Sequence, residues 1–121
     1  NGKVSYIPRN DLAEAAAAVL ANPADHVNQT YELSGTPIGF ADIAAIIANA
    51  TGKDIRYVDL PPEVHTGILA SFGLPGHLVE ALSGMYVGTR NGDYEQTSDD
   101  FAKVVGRAPQ STADFLKEAL K

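Results

Sequence analysis

The sequence predicts an α/β domain in which short parallel strands follow one another in the order β-α-β-α-β and a helical cap comes last. Three β-type runs, opening at Val4-Ser5-Tyr6-Ile7, Thr30 and Ile55, are separated by helical patterns, and after Pro61-Pro62 only helices and turns follow. Strands spaced by helices of this length favour parallel pairing through right-handed crossovers. No repeat, low-complexity tract or linker divides the chain, so residues 1–121 are expected to form a single domain.

The first run turns through Pro8 and Asn10 into a helix with Leu12, Ala15, Ala16, Val19 and Leu20 on one apolar face. Asp11 stands where an N-cap is expected, and Glu14, three residues on, completes the pattern of a capping box. Asn22-Pro23 ends this helix, because proline cannot continue it. From Thr30 to Ser34, Tyr31 and Leu33 alternate with polar residues, as in a strand with one buried face. Gly35-Thr36-Pro37-Ile38-Gly39 reads as a turn. A helix follows from about Phe40 to Ala50, with Phe40, Ile43, Ala44, Ile47 and Ala48 on one face and a stop at Gly52. Ile55 to Leu60 alternates again, Ile55, Tyr57 and Asp59 against Arg56, Val58 and Leu60.

In the cap, Val64, Ile68, Leu69 and Phe72 face one way before Gly73-Leu74-Pro75-Gly76 breaks the helix. A helix from about Pro75 to Val87 carries Leu78, Leu82, Met85 and Tyr86, and Gly88 to Gly92 reads as a loop. Ser98 caps a helix that runs to Val105, with Asp99 and Asp100 in its first turn and Gly106 as its stop. Ser111 and Asp114 cap the last helix, anchored by Phe115, Leu116, Ala119 and Leu120.

Composition narrows the function classes. The net charge of -6, with no basic stripe on any predicted helix, argues against a nucleic-acid partner, which needs clustered Lys and Arg. Zero cysteines remove disulfides, a catalytic thiolate and thiolate metal sites. No apolar run approaches the ~20 residues of a membrane span, and Asn1-Gly2-Lys3 has no signal-peptide character, so no membrane association and a cytoplasmic location are expected. A start without Met suggests a piece of a longer protein.

The run from Gly2-Lys3-Val4 through Arg9-Asn10-Asp11 to Val19-Leu20 resembles a landmark of the NmrA-like short-chain dehydrogenase relatives, where it opens the carboxy-terminal part. The resemblance continues through Tyr31-Glu32-Leu33-Ser34-Gly35, Ala41-Asp42-Ile43-Ala44, Thr51-Gly52-Lys53, Phe72-Gly73-Leu74-Pro75 and Val105-Gly106-Arg107-Ala108-Pro109, nearest to the NADPH-dependent quinone oxidoreductase branch. It implies that the chain is the substrate lobe of a Rossmann-type oxidoreductase, without the dinucleotide-binding domain that precedes it. It further implies a full-length parent that passes hydride from NADPH to a quinone-like acceptor, while the fragment alone binds no cofactor and is inactive. The alternatives are an NmrA-like sensor or regulatory interaction module and a stand-alone homodimeric domain without enzyme activity. As partners, the resemblance implies the missing dinucleotide-binding domain, and the apolar patch around Val4, Tyr31 and Leu33 suggests a homodimer in its absence.

Residue chemistry inside the chain is sparse. No Gly-x-Gly-x-x-Gly follows a strand, so no pyrophosphate seat on a helix N-terminus is expected. Short-chain dehydrogenases often use Tyr-x-x-x-Lys; the nearest match, Tyr86-Val87-Gly88-Thr89-Arg90, puts its cation in a Gly-flanked loop and reads as structural. His26, His65 and His77 follow no metal-ligand spacing and read as surface or capping residues, Ser5 and Ser83 lack the partners of a nucleophile, and no residue is assigned a catalytic role or a metal. Substrate contacts are expected at Tyr6, Ile7, Pro8 and Arg9, at a strand end where open α/β sheets bind ligands, and at Met85 and Tyr86, an adaptable thioether beside an aromatic.

Overall fold

The computed structural model describes residues 2–121, and helices dominate it. Strand β1 (Lys3–Val4) is followed by helix α1 (Arg9–Ala21), a short 3-10 turn (Pro23–His26), strand β2 (Ile38–Gly39) and helix α2 (Phe40–Thr51). Helices α3 (Pro62–Ser71), α4 (Gly76–Asn91), α5 (Asp100–Val105) and α6 (Thr112–Ala119) complete the chain.

The parallel β-α-β-α-β order expected from the sequence is replaced by one two-stranded antiparallel ribbon, with Lys3 opposite Gly39 and Val4 opposite Ile38. A strand persists only where a neighbour completes its ladder, and segments 30–34 and 55–60 find other partners. The Glu32 N–H donates to Asp100 Oδ2 at 3.0 Å, and Ser34 Oγ accepts from the Ser98 N–H at 2.9 Å. In segment 55–60 the alternation holds from Ile55 to Val58, with Ile55 and Tyr57 half-buried and Arg56 and Val58 exposed; it slips at Asp59, which is exposed, and Leu60, which turns inward. Alternating polarity therefore marks which side chains dock, and ladder pairing is decided elsewhere.

Helix α1 begins two residues before its expected cap. Pro8, in an extended conformation, precedes Arg9 and makes no side-chain cap. Asp11 and Glu14 consequently form no capping box; both accept hydrogen bonds from the Arg107 guanidinium, and Asp11 Oδ2 also accepts the Gln110 N–H at 2.7 Å. Asp11 is buried, so its carboxylate ties the loop after α5 to the start of α1. Helix α2 ends as expected at Gly52, whose φ of 68° lies in the left-handed region that favours a residue without a Cβ. Helix α4 runs on to Asn91 through the expected Gly88–Gly92 loop, because Gly88 lets the following Tyr94 ring fold back onto the helix. Ser98 Oγ accepts the Asp100 N–H, and Ser111 caps α6 by accepting from the Asp114 N–H at 3.1 Å.

The helices pack in pairs, α1 with α5, α2 with α6 and α3 with α4. A hydroxyl contact of 2.9 Å between Thr66 and Ser83 staples the last pair. Strand β1 lies on α4, and Gly2 permits it: an added Cβ would stand 1.7 Å from the Thr89 carbonyl oxygen. Among the described residues the buried apolar core is thin, comprising Ala15, Val79 and Phe101. The accessible surface is 8145 Å², about 30% more than the ~6,200 Å² expected of a compact monomer of 12.7 kDa. Large apolar side chains occupy that surplus, including Leu20 (77% exposed), Phe72 (72%) and Val58 (66%).

Candidate functional site

Three elements enclose an aromatic cleft of about 250 Å³: the start of α2, the segment 57–62, and the α3–α4 pair. The Phe40 ring stacks on Tyr57 at 6.0 Å and meets Tyr86 at 5.6 Å, while His65 meets the Tyr86 ring edge-on at 4.2 Å. Such offset and edge contacts are the arrangements aromatic rings prefer. At the cleft wall the Tyr57 hydroxyl donates to Asp59 Oδ1 at 3.1 Å, and the same oxygen accepts from Arg90 Nη2 at 2.6 Å. Arg90 Nη2 donates also to the Leu60 carbonyl at 2.8 Å. The sequence places Arg90 in a Gly-flanked loop; instead it lies in the last turn of α4, with Tyr86 one turn earlier, and two acceptors hold it.

A second, apolar hollow of about 290 Å³ lies at the other end of the ribbon. Tyr6, Ile7, Pro8 and Arg9 line it together with Ile43, Phe115 and Leu116. The four strand-end residues thus lie together, apart from the aromatic cleft that Tyr86 lines. Met85 is 55% exposed and lines neither space. Partial burial, and to a lesser degree the nearby Tyr86 phenol, hold the Tyr6 phenol above its ordinary value of 10.0. Burial likewise raises Tyr57, aided by its hydrogen bond to Asp59 and opposed by Arg90.

Phe40, Tyr57, His65 and Arg90 were not among the expected site residues. Tyr86 and Arg90 at helical i,i+4 spacing were the one local signal; the meeting of Phe40 with Tyr57 depends on how α2 and the 57–62 segment pack. His26 accepts or donates at Nδ1 to the Tyr31 hydroxyl at 2.6 Å, and His77 sits exposed at the start of α4. Among the described residues no group of three or more His, Asp or Glu gathers to hold a metal, and no helix is long and apolar enough to cross a membrane. Among the described helix starts, α3 loses one free amide to Pro62 at its first position, and α2 places the Asp42 carboxylate in its first turn, which disfavours an anion there.

No protein-family model matches the chain. Known reductases do. It is 32% identical over 117 residues to an NAD(P)H azoreductase of Xenophilus azovorans, covering 96% of this chain and 41% of that protein. A triphenylmethane reductase of Citrobacter sp. superposes with a TM-score of 0.89 at 32% identity, over 98% of this chain and 41% of that one. An NADPH-dependent quinone oxidoreductase of Escherichia coli, solved with NADPH, superposes with a TM-score of 0.91 at 29% identity, over 100% of this chain and 43% of that one. The chain therefore spans about two fifths of the length of the reductases it matches.

Proposed function

We propose that the chain is the substrate lobe of an NAD(P)H-dependent reductase of the NmrA-like kind, acting on quinone-like acceptors, with the dinucleotide held by a second body. The observation that carries this reading is the aromatic cleft, found on a chain that follows dye and quinone reductases along nearly its whole length. Stacked and edge-on rings suit a flat conjugated acceptor, and in this reading the dinucleotide sits on the second body. When bound there, NADPH supplies the hydride; the residues of this chain orient the acceptor and exclude water.

Tyr6, Ile7, Pro8 and Arg9, in the apolar hollow, and Tyr86, in the aromatic cleft, contact the acceptor from two neighbouring spaces, with Met85 beside Tyr86 on the exposed side of α4. Arg9 is the first residue of α1 and enters no ion pair among the described residues. A cation at the positive end of a helix dipole lowers stability, so its place there is better explained by an anionic partner. Arg9 would steady the acceptor oxygen as negative charge develops on it.

The test joins this chain to the dinucleotide-binding part of the Escherichia coli relative and follows NADPH oxidation with a naphthoquinone. Quinone-dependent oxidation is expected, and Arg9→Ala should lower turnover about tenfold to a thousandfold with cofactor affinity nearly unchanged. A joined protein that binds NADPH yet reduces neither quinone nor azo dye overturns the reading; full activity in Arg9→Ala removes Arg9 from the site.

A further inference from the structure

We infer that the aromatic cleft selects its ligand by charge, taking flat aromatic ring systems that are neutral or cationic and rejecting anionic ones, because the Asp59–Arg90 pair compensates the arginine and leaves the preference to the ring faces. Phe40, Tyr57 and Tyr86 supply ring faces, whose quadrupoles attract cations and repel anions. The one arginine at the cleft could have reversed that preference. Its Nη2, however, is committed to Asp59 Oδ1 at 2.6 Å and to the Leu60 carbonyl at 2.8 Å, so a carboxylate already answers its charge. Tyr57 donates to the same Asp59 oxygen, which fixes the carboxylate against the ring that lines the wall. With the pair compensated, the ring faces decide, and the net charge of -6 on the whole chain acts in the same direction. A volume of about 250 Å³ suits a bicyclic ring system. The inference rests on the reductase reading only for the claim that such a ligand is reduced; the binding preference stands on this chain alone.

Three matched, unreactive probes test it on the 121-residue chain: 2-naphthamide, 2-naphthoate and 2-naphthylmethylammonium, titrated calorimetrically with the contact surface located by amide chemical shifts. The amide and the ammonium should bind, and the naphthoate should be weaker by about tenfold or more. Asp59→Asn, which frees the Arg90 charge, should bring the naphthoate up by about tenfold, and Arg90→Gln, which frees the carboxylate, should strengthen the ammonium by a similar factor. Tyr86→Ala should weaken both the amide and the ammonium, the ammonium more, because it also loses a cation–π contact. The inference is overturned if the naphthoate binds as well as the amide, if no probe perturbs the cleft amides, or if neither charge variant shifts the order. Retained helical circular dichroism in each variant separates these outcomes from misfolding. Quinone reduction by the joined protein without charge discrimination here removes this inference alone, whereas discrimination without reduction removes the reductase reading alone.

Discussion

Asp11 illustrates how a residue's chemistry can be legible while its partner is not. Its spacing to Glu14 suggested a cap worth about 1 kcal/mol, yet the carboxylate is buried and receives Arg107 and the Gln110 N–H from the far end of the chain. Asp11→Ala should therefore cost about 1–2 kcal/mol, since it leaves the half-buried Gln110 N–H without its acceptor and releases the exposed Arg107, with the loss read by chemical denaturation. Asp11→Asn should recover part of it by keeping an acceptor for Gln110. A cost near zero for both would show that the latch contributes nothing. Tyr6 and Tyr57 give a second residue-scale test. Both phenols are held above the ordinary 10.0, so the stability they contribute is present below pH 10 and is lost as pH rises through their folded values. Alkaline absorbance titration should find two tyrosines ionising above pH 10, and Tyr57 should return toward the ordinary value in Asp59→Asn, which removes the carboxylate that raises it.

The elements hold together through junctions that no local pattern announces. Segment 30–34 is fastened to α5 because the Asp100 carboxylate accepts the Glu32 N–H, and that bond, with help from Lys103 and Ser98, lowers the Asp100 carboxyl below its ordinary 3.8. A depressed acid stabilises the fold above its unfolded value and loses that contribution as pH falls through its folded value. Acid unfolding followed by circular dichroism should thus steepen below about pH 4, and Asp100→Asn should flatten that limb. An unchanged acid limb would mean that the junction is not a source of acid sensitivity. The β1–α4 junction is stricter. With an added Cβ only 1.7 Å from the Thr89 carbonyl, Gly2→Ala must push the ribbon off α4 and disturb the cleft that Gly2 helps to line, at a cost of about 3 kcal/mol or more. A variant that melts with the parent chain would refute that packing.

At the scale of the whole molecule, the surface is too large for its mass. The surplus over a compact monomer exceeds the ~800 Å² that one partner contributes to an ordinary stable interface. An apolar groove of Leu12, Val19, Leu20, Tyr31 and Leu33 along α1 accounts for part of it, in the region where the sequence suggested an exposed patch. In isolation a second copy is the simplest cover, since a two-fold pair closes on itself. Sedimentation at increasing concentration should show the mass rising above 12.7 kDa by tens of micromolar, and joining the dinucleotide-binding body should abolish the rise. A clean monomer at about 100 µM would contradict the expectation, because an apolar interface of this size should hold there.

Local chemistry determined what a short window can determine. Helix α2 and its stop at Gly52, the Ser111 cap of α6, the break between α3 and α4, and the apolar faces of the helices follow from periodicity and capping, which act within a few residues. Residues Tyr6 to Arg9 share one hollow because they are neighbours in sequence. Tertiary structure decided everything that needed a distant partner. Whether Thr30–Ser34 and Ile55–Leu60 became strands depended on a ladder neighbour, and they met the Asp100 side chain of α5, the Ser98 N–H just before it and the Arg90 side chain of α4 instead. Asp11 exchanged a cap for Arg107 across 96 residues, and the cleft exists because packing carries Phe40 and Tyr57 to Tyr86. A side chain's donors, acceptors and ring faces are written in the sequence; which groups meet them is set by the packing that leaves the fewest polar groups unpaired.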